Sequence, residues 1–279
     1  MNCLKSVLKL ATDQLFQASD SAALDAEILL CLAIGKERTY LRTWPEKLLE
    51  PEQISHFWSL VQERHEGRPI AYITGHKEFW SRDFLITPDV LVPRPDTELL
   101  IELCLTLIPI KSTSKLIDLG TGSGIIAITL SAERPLSEVF ASDFSIPALE
   151  IAKQNAILHH QHNIKFYQSY WLNDIPLTQF DIIVSNPPYI AKNDHHLLQG
   201  DLRFEPTSAL SSEDNGLGDI KIIIDTARRY LTSKGYLLIE HGYDQKHAVQ
   251  SIFKNLGYDT VQTITDLSGQ PRVTYGQWL

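Results

Sequence analysis

The chain has 279 residues, of which 43% are hydrophobic and 21% charged, so a sizeable buried core is available and wholesale disorder is excluded. This length accommodates one large domain, or a domain of typical size with a smaller one. The formal net charge of −9 disfavours proteins that hold nucleic acid mainly by neutralising phosphates, so no direct nucleic-acid grip is expected.

The spacing of the cysteines and histidines and the length of the apolar runs exclude further classes of protein. Cys3, Cys31 and Cys104 lie far apart without a C-x-x-C pair, so neither a disulfide framework nor a zinc knuckle is indicated. The histidines within residues 159–162 follow a predicted helix end, which favours solvated imidazoles, and no metal is expected. No apolar run approaches the roughly 18 residues of a membrane span, so we expect a cytoplasmic protein without membrane contact.

The first part of the chain has helical periodicity. Apolar residues recur at helical spacing over Leu4–Leu15, over Ala22–Ile34 and after Pro51. Turn residues at 67–69 and Gly75 end this pattern. We therefore predict a helical domain over residues 1–75 that recognises a partner.

From Tyr72 to Val92 aromatic and β-branched residues predominate, which predicts a β-hairpin linker over residues 76–92. Beyond it, over residues 93–279, short apolar strands alternate with helical stretches. This alternation predicts an α/β domain with a mostly parallel, Rossmann-like sheet and an antiparallel C-terminal hairpin. The predicted strands are Leu116–Leu119, Val139–Ser142, Ile164–Tyr167, Phe180–Val184, Tyr236–Glu240, Thr260–Thr265 and Val273–Tyr275. The predicted helices are Asp96–Leu107, Ile125–Ala132, Pro147–Leu158, Asp219–Leu231 and Gln245–Leu256.

A glycine-rich loop follows the first predicted strand of this domain and opens a helix. It reads Gly120-Thr121-Gly122-Ser123-Gly124, a G-x-G-x-G spacing rather than the dinucleotide fingerprint G-x-G-x-x-G. Glycines remove Cβ atoms and a helix N-terminus offers free N–H donors, so the loop suits close approach of a ligand. Asp143 ends the next strand, where a carboxylate can accept both ribose hydroxyl hydrogens of a nucleoside.

A second loop follows the fourth predicted strand, on the same edge of the sheet. Its sequence is Asn186-Pro187-Pro188-Tyr189. The two prolines stiffen the loop and leave carbonyl acceptors, while Asn186 adds a side-chain acceptor and Tyr189 an aromatic face. This set suits a planar group that bears an NH2, whose two hydrogens the Asn186 side-chain oxygen and the Pro187 carbonyl can accept.

These residues resemble the class I S-adenosylmethionine methyltransferases and, within them, the HemK-type glutamine methyltransferases of peptide chain release factors. The resemblance covers most of the chain, and its helical domain with the segments around Pro93 and Arg203 is the most restrictive part. The matching segments are Arg68–Gly75, Glu78–Trp80, Val92–Glu98, Asp118–Gly124, Asn186–Tyr189, Arg203–Pro206 and Glu240–Gly242.

The resemblance implies that S-adenosyl-L-methionine is the cofactor and that a release factor, presenting a Gly-Gly-Gln loop, is the protein substrate. In that reading Gly120–Gly124 surround the methionine part, Asp143 binds the ribose and Trp171 lies beside the cofactor. Asn186–Tyr189 hold the target glutamine, and Asn186 also contacts the cofactor. The side-chain amide nitrogen of that glutamine accepts the methyl group, and Asn186, Pro187 and Tyr189 are the catalytic residues. Such enzymes usually have an acid before the tryptophan, whereas this chain has Tyr170.

Alternatives remain open from the residues alone. A glutamine methyltransferase of a ribosomal protein would use the same chemistry, and an adenine amino-methyltransferase makes the same demand on Asn186. A docking module without turnover is the non-enzymatic alternative. The roles of Arg94, Glu240 and His241 are open between bracing and ligand contact. A monomer is expected.

Overall fold

The computed structural model describes residues 2–279, and the chain divides into two compact units. One comprises the chain up to His76 together with Leu198–Phe204, and the other comprises Lys77–Leu197 and Glu205–Leu279. Within residues 2–279, no helix combines the length and apolar character needed to cross a bilayer.

The first unit is a helical bundle around its own apolar core. Leu4, Val7, Ala11 and Leu15 are buried along one face of the first helix, as their spacing of three and four residues predicts. The fourth helix begins with a proline in its first turn and a capping box between Glu50 and Gln53. The helices of this unit are α1 (Leu4–Leu15), α2 (Ala22–Ile34), α3 (Arg38–Thr43), α4 (Pro51–His65) and α5 (Ile70–Thr74), and its distant segment contains a 3-10 turn at Gly200–Phe204. Another 3-10 turn, at His195–Leu198, spans the end of the second unit's first segment.

A buried ion-pair network holds the bundle to its distant segment. Arg64 on α4 is only 6% exposed, and its Nε donates to Asp25 of α2 over 2.8 Å. Its Nη1 donates to Asp201 over 2.7 Å and to the carbonyl of Arg68 over 3.1 Å. Because these charges are paired and hydrogen-bonded, Arg64 tolerates burial that would otherwise be prohibitive.

The second unit begins with a two-stranded sheet formed by β1 (His76–Phe79) and β2 (Arg82–Leu85). Trp80 and Ser81 between the strands both have positive φ, as a tight two-residue hairpin turn requires. The aromatic segment that predicts this hairpin is longer than the hairpin itself. Tyr72 belongs to α5, and no strand occurs over residues 86–94, where Pro88 and Pro93 lack the N–H that a ladder needs.

A seven-stranded sheet forms the body of the second unit, in the order β10-β11-β9-β6-β3-β4-β5. Strands β3 to β6 and β9 are parallel, and β11 and β10 follow antiparallel at one edge. This confirms the predicted fold class. The strands are β3 (Lys115–Leu119), β4 (Glu138–Asp143), β5 (Lys165–Gln168), β6 (Phe180–Ser185), the short β7 (Ile190–Ala191) and β8 (Ser211–Ser212), β9 (Leu231–Glu240), β10 (Asp259–Thr265) and β11 (Pro271–Gln277).

Helices connect these strands and pack on the sheet. Apolar residues of the last two helices, among them Ile220, Ile224 and Phe253, share one buried cluster with Ile117 and Leu237 of the strands. The helices are α6 (Glu98–Leu107) after a 3-10 turn at Pro95–Thr97, α7 (Ile125–Glu133), α8 (Ile146–Leu158), α9 (Thr207–Leu210), α10 (Glu213–Gly216), α11 (Gly218–Ala227) and α12 (Lys246–Asn255).

Two predicted boundaries are wrong by several residues. The predicted helix over Asp219–Leu231 ends at Ala227, and β9 begins at Leu231 rather than at Tyr236. Leu231 pairs with Phe180 of β6, and the register then shifts by a bulge before Tyr236 pairs with Ile182. Sequence periodicity does not show such a bulge, because the extra residues interrupt the strand pattern.

The buried network in the helical unit generates a first prediction. Replacing Arg64 with leucine leaves the buried Asp25 carboxylate without its cation, so we expect the bundle to lose about 3 kcal/mol of stability. Hydrogen exchange of the α2 and α4 amides measures this loss in the helical unit alone. The matched control is Arg38→Leu. Arg38 pairs with Glu27 at the surface, and such an ion pair contributes at most about 1 kcal/mol to the free energy of unfolding. Equal losses in the two variants would contradict the assignment.

Candidate active site

The order of the strands creates a switch point between β3 and β6. From β3 the chain continues through β4 to β5 on one side, whereas β6 lies on the other side of β3. Ligands of open α/β sheets bind outside the carboxyl ends of the strands at such a point. Leu119 and Ser185, the last residues of β3 and β6, pair directly, and the Ser185 hydroxyl donates to the Leu119 carbonyl over 2.8 Å. The loops that begin at Gly120 and Asn186 therefore start side by side.

A cavity of about 660 Å³ opens at this point. That volume lies in the range of pockets that enclose a small-molecule ligand. Six residues of the two predicted loops and their surroundings line it: Gly120, Gly122, Asp143, Trp171, Asn186 and Pro188. The lining also includes residues that the sequence analysis did not single out for a ligand, among them Phe144, Lys192 and Asp219.

The glycine loop forms a surface without side chains. Gly120 has φ of +70°, and a Cβ there would lie 3.1 Å from the ring of Trp171. Gly122 has φ of +54°, and a Cβ there would meet no atom within 4 Å. Both backbone conformations are unfavourable for other residues. The loop therefore leaves a cradle at the cavity wall that any side chain at Gly122 would begin to fill.

Asp143 ends β4 and is fixed against the loop. Its Oδ2 accepts from the Gly122 N–H and its Oδ1 from the Ser145 N–H, each over 2.9 Å. Burial raises the pKa of Asp143, against the opposing effect of these backbone hydrogen bonds. Each carboxylate oxygen still has acceptor capacity, so the side chain can bind hydroxyl hydrogens in the cavity.

Thr121, Ser123 and Gly124 shape the loop from behind and do not line the cavity. The Thr121 hydroxyl donates to Asp118 Oδ2 over 2.6 Å, beneath the loop. Gly124 has φ of +86°, and a Cβ there would lie 3.2 Å from the Cβ of Ala152 on α8, so the position favours glycine. These three residues therefore stabilise the conformation of the loop by contacts with the residues packed beneath it.

Asn155 on α8 is a positioning residue that the sequence analysis missed. It is fully buried, and its Nδ2 donates to the Ser123 carbonyl over 2.8 Å. The same amide pairs with both backbone groups of Leu85 on β2, accepting over 2.7 Å and donating over 3.0 Å. It thereby connects the hairpin to the glycine loop. Its sequence position within an ordinary helix gives no indication of this role.

The asparagine loop is fixed by side-chain and backbone hydrogen bonds. Asn186 Nδ2 donates to the Thr97 hydroxyl over 3.1 Å. Pro187 is buried, and the Tyr189 carbonyl accepts from Gln245 Nε2 over 2.9 Å. Neither Pro187 nor Tyr189 lines the cavity, whereas Asn186 and Pro188 do.

Glu240 lies behind this loop and is 1% exposed. The Tyr189 hydroxyl donates to its Oε1 over 3.4 Å. Burial raises the pKa of Glu240 to about 7, although the nearby hydroxyls of Thr97 and Tyr189 oppose the shift. Burial likewise raises the pKa of Tyr189, so this residue acts as a neutral phenol.

Arg94 and His241 are part of the bracing as well. Arg94 pairs with the buried Glu205 carboxylate, which also accepts from the Val92 N–H over 3.0 Å. His241 is fully buried and contacts Thr274 Oγ1 and the Gly242 carbonyl, each over 2.8 Å. Neither residue lines the cavity, so the geometry favours bracing over ligand contact for both.

Tyr170 and Trp171 meet one carboxylate at the opposite wall. The Tyr170 hydroxyl donates to Asp219 Oδ1 over 2.9 Å, and Trp171 Nε1 donates to the same oxygen over 3.0 Å. Asp219 Oδ2 accepts from the Ser212 hydroxyl. Position 170 holds Tyr170 rather than the acid that the family resemblance leads us to expect, but Asp219 supplies a carboxylate nearby.

The charge of the lining is predominantly negative. It contains the carboxylates of Asp89, Asp143, Glu213 and Asp219, and the single ammonium of Lys192 pairs with Glu213 over 2.5 Å. Such a lining favours a cationic ligand and disfavours a polyphosphate.

A doubly wound sheet with this strand order and a ligand cavity at its switch point is the architecture of class I S-adenosylmethionine-dependent methyltransferases, and the chain has this fold. A solved methyltransferase structure from Pyrococcus furiosus shares it with a TM-score of 0.55 at 16% identity, covering 80% of this chain and 98% of that one. Residues 6–75 match the family model of the PrmC N-terminal domain, and residues 96–203 match that of the methyltransferase small domain.

Curated relatives define the family more narrowly. The release factor glutamine methyltransferase of Aliivibrio fischeri is 44% identical, covering 99% of this chain and 98% of that protein. That of Vibrio cholerae is 47% identical, covering 99% and 96%. The chain belongs to the release factor glutamine methyltransferase family, and the family resemblance predicted from the sequence is confirmed.

The buried Asp118 beneath the glycine loop generates a prediction about pH. Burial raises its pKa to about 7 from an ordinary 3.8, so the folded protein retains a proton that the unfolded chain releases between these values. The contribution of this carboxyl to stability is therefore full below about pH 4 and is lost as the pH rises to about 7.

In Asp118→Asn the side chain cannot titrate. We expect the free energy of unfolding of the wild type to fall relative to the variant by up to about 1.4 kcal/mol per pH unit across this interval. Urea unfolding from about pH 4 to 8 measures the difference. Parallel stability curves for the two proteins would contradict the prediction.

Proposed function

We propose that this chain transfers a methyl group from S-adenosyl-L-methionine to the side-chain amide nitrogen of the glutamine in the Gly-Gly-Gln loop of peptide chain release factors. The observation that carries the proposal is the pairing of Leu119 with Ser185, because it sets the glycine loop and the asparagine loop side by side at one cavity. The curated relatives act, by their names, on release factor glutamine.

The cavity fits this cofactor in shape and charge. We assign the cradle at Gly120 and Gly122 to its methionine part, Asp143 to its ribose and Trp171 to an adjacent wall. The acidic lining suits the positive charges on its sulfonium and ammonium groups. Thr121, Ser123 and Gly124 contribute by holding the loop in form, since the Thr121 side chain and the Ser123 carbonyl are hydrogen-bonded beneath it.

Bound S-adenosylmethionine supplies an electrophilic methyl group, and the residues of this chain present the glutamine to it. The lone pair of a free amide nitrogen is delocalised into the carbonyl, so the nitrogen must become more tetrahedral to react. Acceptors on both N–H bonds favour that geometry and stabilise positive charge on the nitrogen. We assign these acceptors to Asn186 Oδ1, which lines the cavity, and to the Pro187 carbonyl, whose peptide bond leads to the lining residue Pro188.

The remaining residues of the loop hold that arrangement. Pro188 contributes to the cavity wall, and the Tyr189 ring packs against the core of the second unit. The nitrogen becomes acidic as it is methylated, so its proton can pass to a weak acceptor or to water, and no strong base is required.

We further propose that residues 1–75 recognise the partner, residues 76–92 act as a linker and residues 93–279 carry out catalysis by a cytoplasmic monomer. Cys3, Cys31 and Cys104 are free thiols, which suits a reducing compartment. The acidic cavity lining disfavours the alternative adenine substrate in nucleic acid, because phosphates would approach carboxylates.

The proposal is tested by incubating the protein with methyl-labelled S-adenosylmethionine and, separately, release factor, ribosomal proteins and DNA. Mass spectrometry then maps the label. We expect label on the glutamine of the release factor loop. Label confined to a ribosomal-protein glutamine or to adenine would overturn the assignment in favour of that substrate.

Asn186→Ala removes one acceptor from the target amide. We expect turnover to fall by about 100-fold, with the cofactor dissociation constant changed by no more than about threefold, because the acceptor acts mainly in the transition state. Steady-state kinetics and calorimetric cofactor titration measure the two effects. The matched control is Asn173→Ala at an exposed position. Unchanged turnover in Asn186→Ala would refute the role of this side chain.

A further inference from the structure

Asp219 lies at the cavity wall, outside the glycine loop and the asparagine loop. We infer that it is a positioning residue, which holds the indole of Trp171 against the glycine loop and thereby sets the affinity of the cavity for S-adenosylmethionine. The inference rests on the cofactor named in the proposed function and deepens it, because it identifies the residue that fixes one wall of the cofactor site.

Trp171 forms part of the cavity wall and contacts the glycine loop directly. It lines the cavity and is 9% exposed. Its ring lies so close to Gly120 that a Cβ at this glycine would be 3.1 Å from it. The position of the indole therefore determines how much space a ligand finds beside Gly120.

The backbone of Trp171 does not favour this placement by itself. Its φ of +54° lies in the left-handed region, which is uncommon for a bulky residue and persists only where surrounding contacts hold it. The Trp171 carbonyl accepts from the Ser142 hydroxyl over 3.4 Å, and the indole Nε1 donates to Asp219 Oδ1 over 3.0 Å. The bond to Asp219 is the shorter of the two, and it acts on the ring itself.

Asp219 is held in place from its other side. The Ser212 hydroxyl donates to Asp219 Oδ2 over 2.5 Å, and Ser212 Oγ accepts from the Asp219 backbone N–H over 3.0 Å. Ser212 lies in β8, which pairs with β7, the short strand that follows the asparagine loop. The carboxylate therefore has a fixed orientation, with Oδ1 directed at the donors of Tyr170 and Trp171.

Loss of this carboxylate would leave a buried donor without its acceptor. A buried indole N–H needs a hydrogen-bond partner, and leaving it unsatisfied costs the desolvation of that group. With alanine at position 219, the ring lowers this cost by turning its N–H toward water in the cavity, which moves the wall beside Gly120. The cofactor must then reorder the ring when it binds, so its affinity falls while Asn186 stays in place.

Two variants separate this contact from the charge of Asp219. Asp219→Ala removes the acceptor, and we expect the dissociation constant of S-adenosylmethionine to rise by about 10-fold. Asp219→Asn keeps a carbonyl oxygen for the indole without the charge, and should stay within about threefold of wild type. Calorimetric titration measures both values. An asparagine variant as weak as the alanine variant would show that charge sets the affinity and would overturn the inference.

The matched control is Asp225→Ala on the same helix. Asp225 is exposed, pairs with Arg228 and does not line the cavity, so the dissociation constant should not change by more than about twofold. In steady-state kinetics, Asp219→Ala should raise KM for the cofactor by about 10-fold and leave kcat at saturating cofactor within about threefold. A fall in kcat with unchanged KM contradicts a role in cofactor affinity.

The free protein gives a readout that is independent of the cofactor. In Asp219→Ala, hydrogen exchange of the Trp171 indole N–H, followed by NMR and assigned with Trp171→Phe, should become at least about 10-fold faster, with the other indoles unchanged. Equal exchange in the variant and the wild type would refute the contact. If alanine prevents folding, Asp219→Leu, which also lacks an acceptor, takes its place.

A double variant tests whether Asp219 acts through Trp171. Trp171→Phe keeps an aromatic ring without the N–H donor, so adding Asp219→Ala to it should weaken cofactor binding by less than about twofold. A second loss of about 10-fold would show that Asp219 acts on the cofactor by another route, against the inference.

The same measurements distinguish this inference from the proposed function. A wild type that binds the cofactor but labels no release factor glutamine would overturn the proposed substrate and leave the role of Asp219 standing. A wild type that labels this glutamine, beside an Asp219→Ala variant with unchanged cofactor affinity, would overturn the inference alone. A wild type that does not bind S-adenosylmethionine would overturn both.

Discussion

The parallel pairing of β3 with β6 is the constraint on which the candidate active site depends. Because Leu119 and Ser185 end their strands in register, one short step of the chain beyond each residue brings a glycine loop and an asparagine loop to the same edge. Pairing in another register would separate the cradle from the acceptors. Parallel pairing of two strands that are remote in sequence therefore sets the distance between the glycine loop and the asparagine loop.

Much of this arrangement is predictable from the sequence, because local patterns determine it. Glycines that follow an apolar strand, and an asparagine that follows another, indicate the two loops and their common edge. The supports of these loops are not predictable in the same way. Asn155 and Thr97 lie within or beside ordinary helical segments, and their partners Leu85 and Asn186 are 70 and 89 positions away. Only the folded chain shows these contacts.

The errors in the predicted boundaries have the same origin, because local sequence patterns do not show contacts that form only in the folded chain. The predicted start of β9 at Tyr236 misses the residues before the bulge, since a bulge breaks the alternation by which strands are recognised. The sequence pattern predicts that Asp219 lies in a helix and gives no sign of a functional role. It lies in the first turn of α11, and the side chains of Tyr170 and Trp171 converge on its carboxylate across the cavity wall.

Two buried carboxylates stand beneath the two loops in equivalent ways. Asp118 accepts from the Thr121 hydroxyl under the glycine loop, and Glu240 accepts from the Tyr189 hydroxyl behind the asparagine loop. Burial raises the pKa of each to about 7, so ionising either one costs stability at neutral pH and above.

Apolar residues at these two places would remove that cost, but they would also remove the acceptors of the Thr121 and Tyr189 hydroxyls. A hydroxyl carries one hydrogen, so the carboxyl oxygen that accepts it decides where that hydrogen points and leaves the hydroxyl oxygen free for another donor. The destabilising carboxylates are therefore understandable as a means of orienting the polar groups of both loops before any ligand arrives.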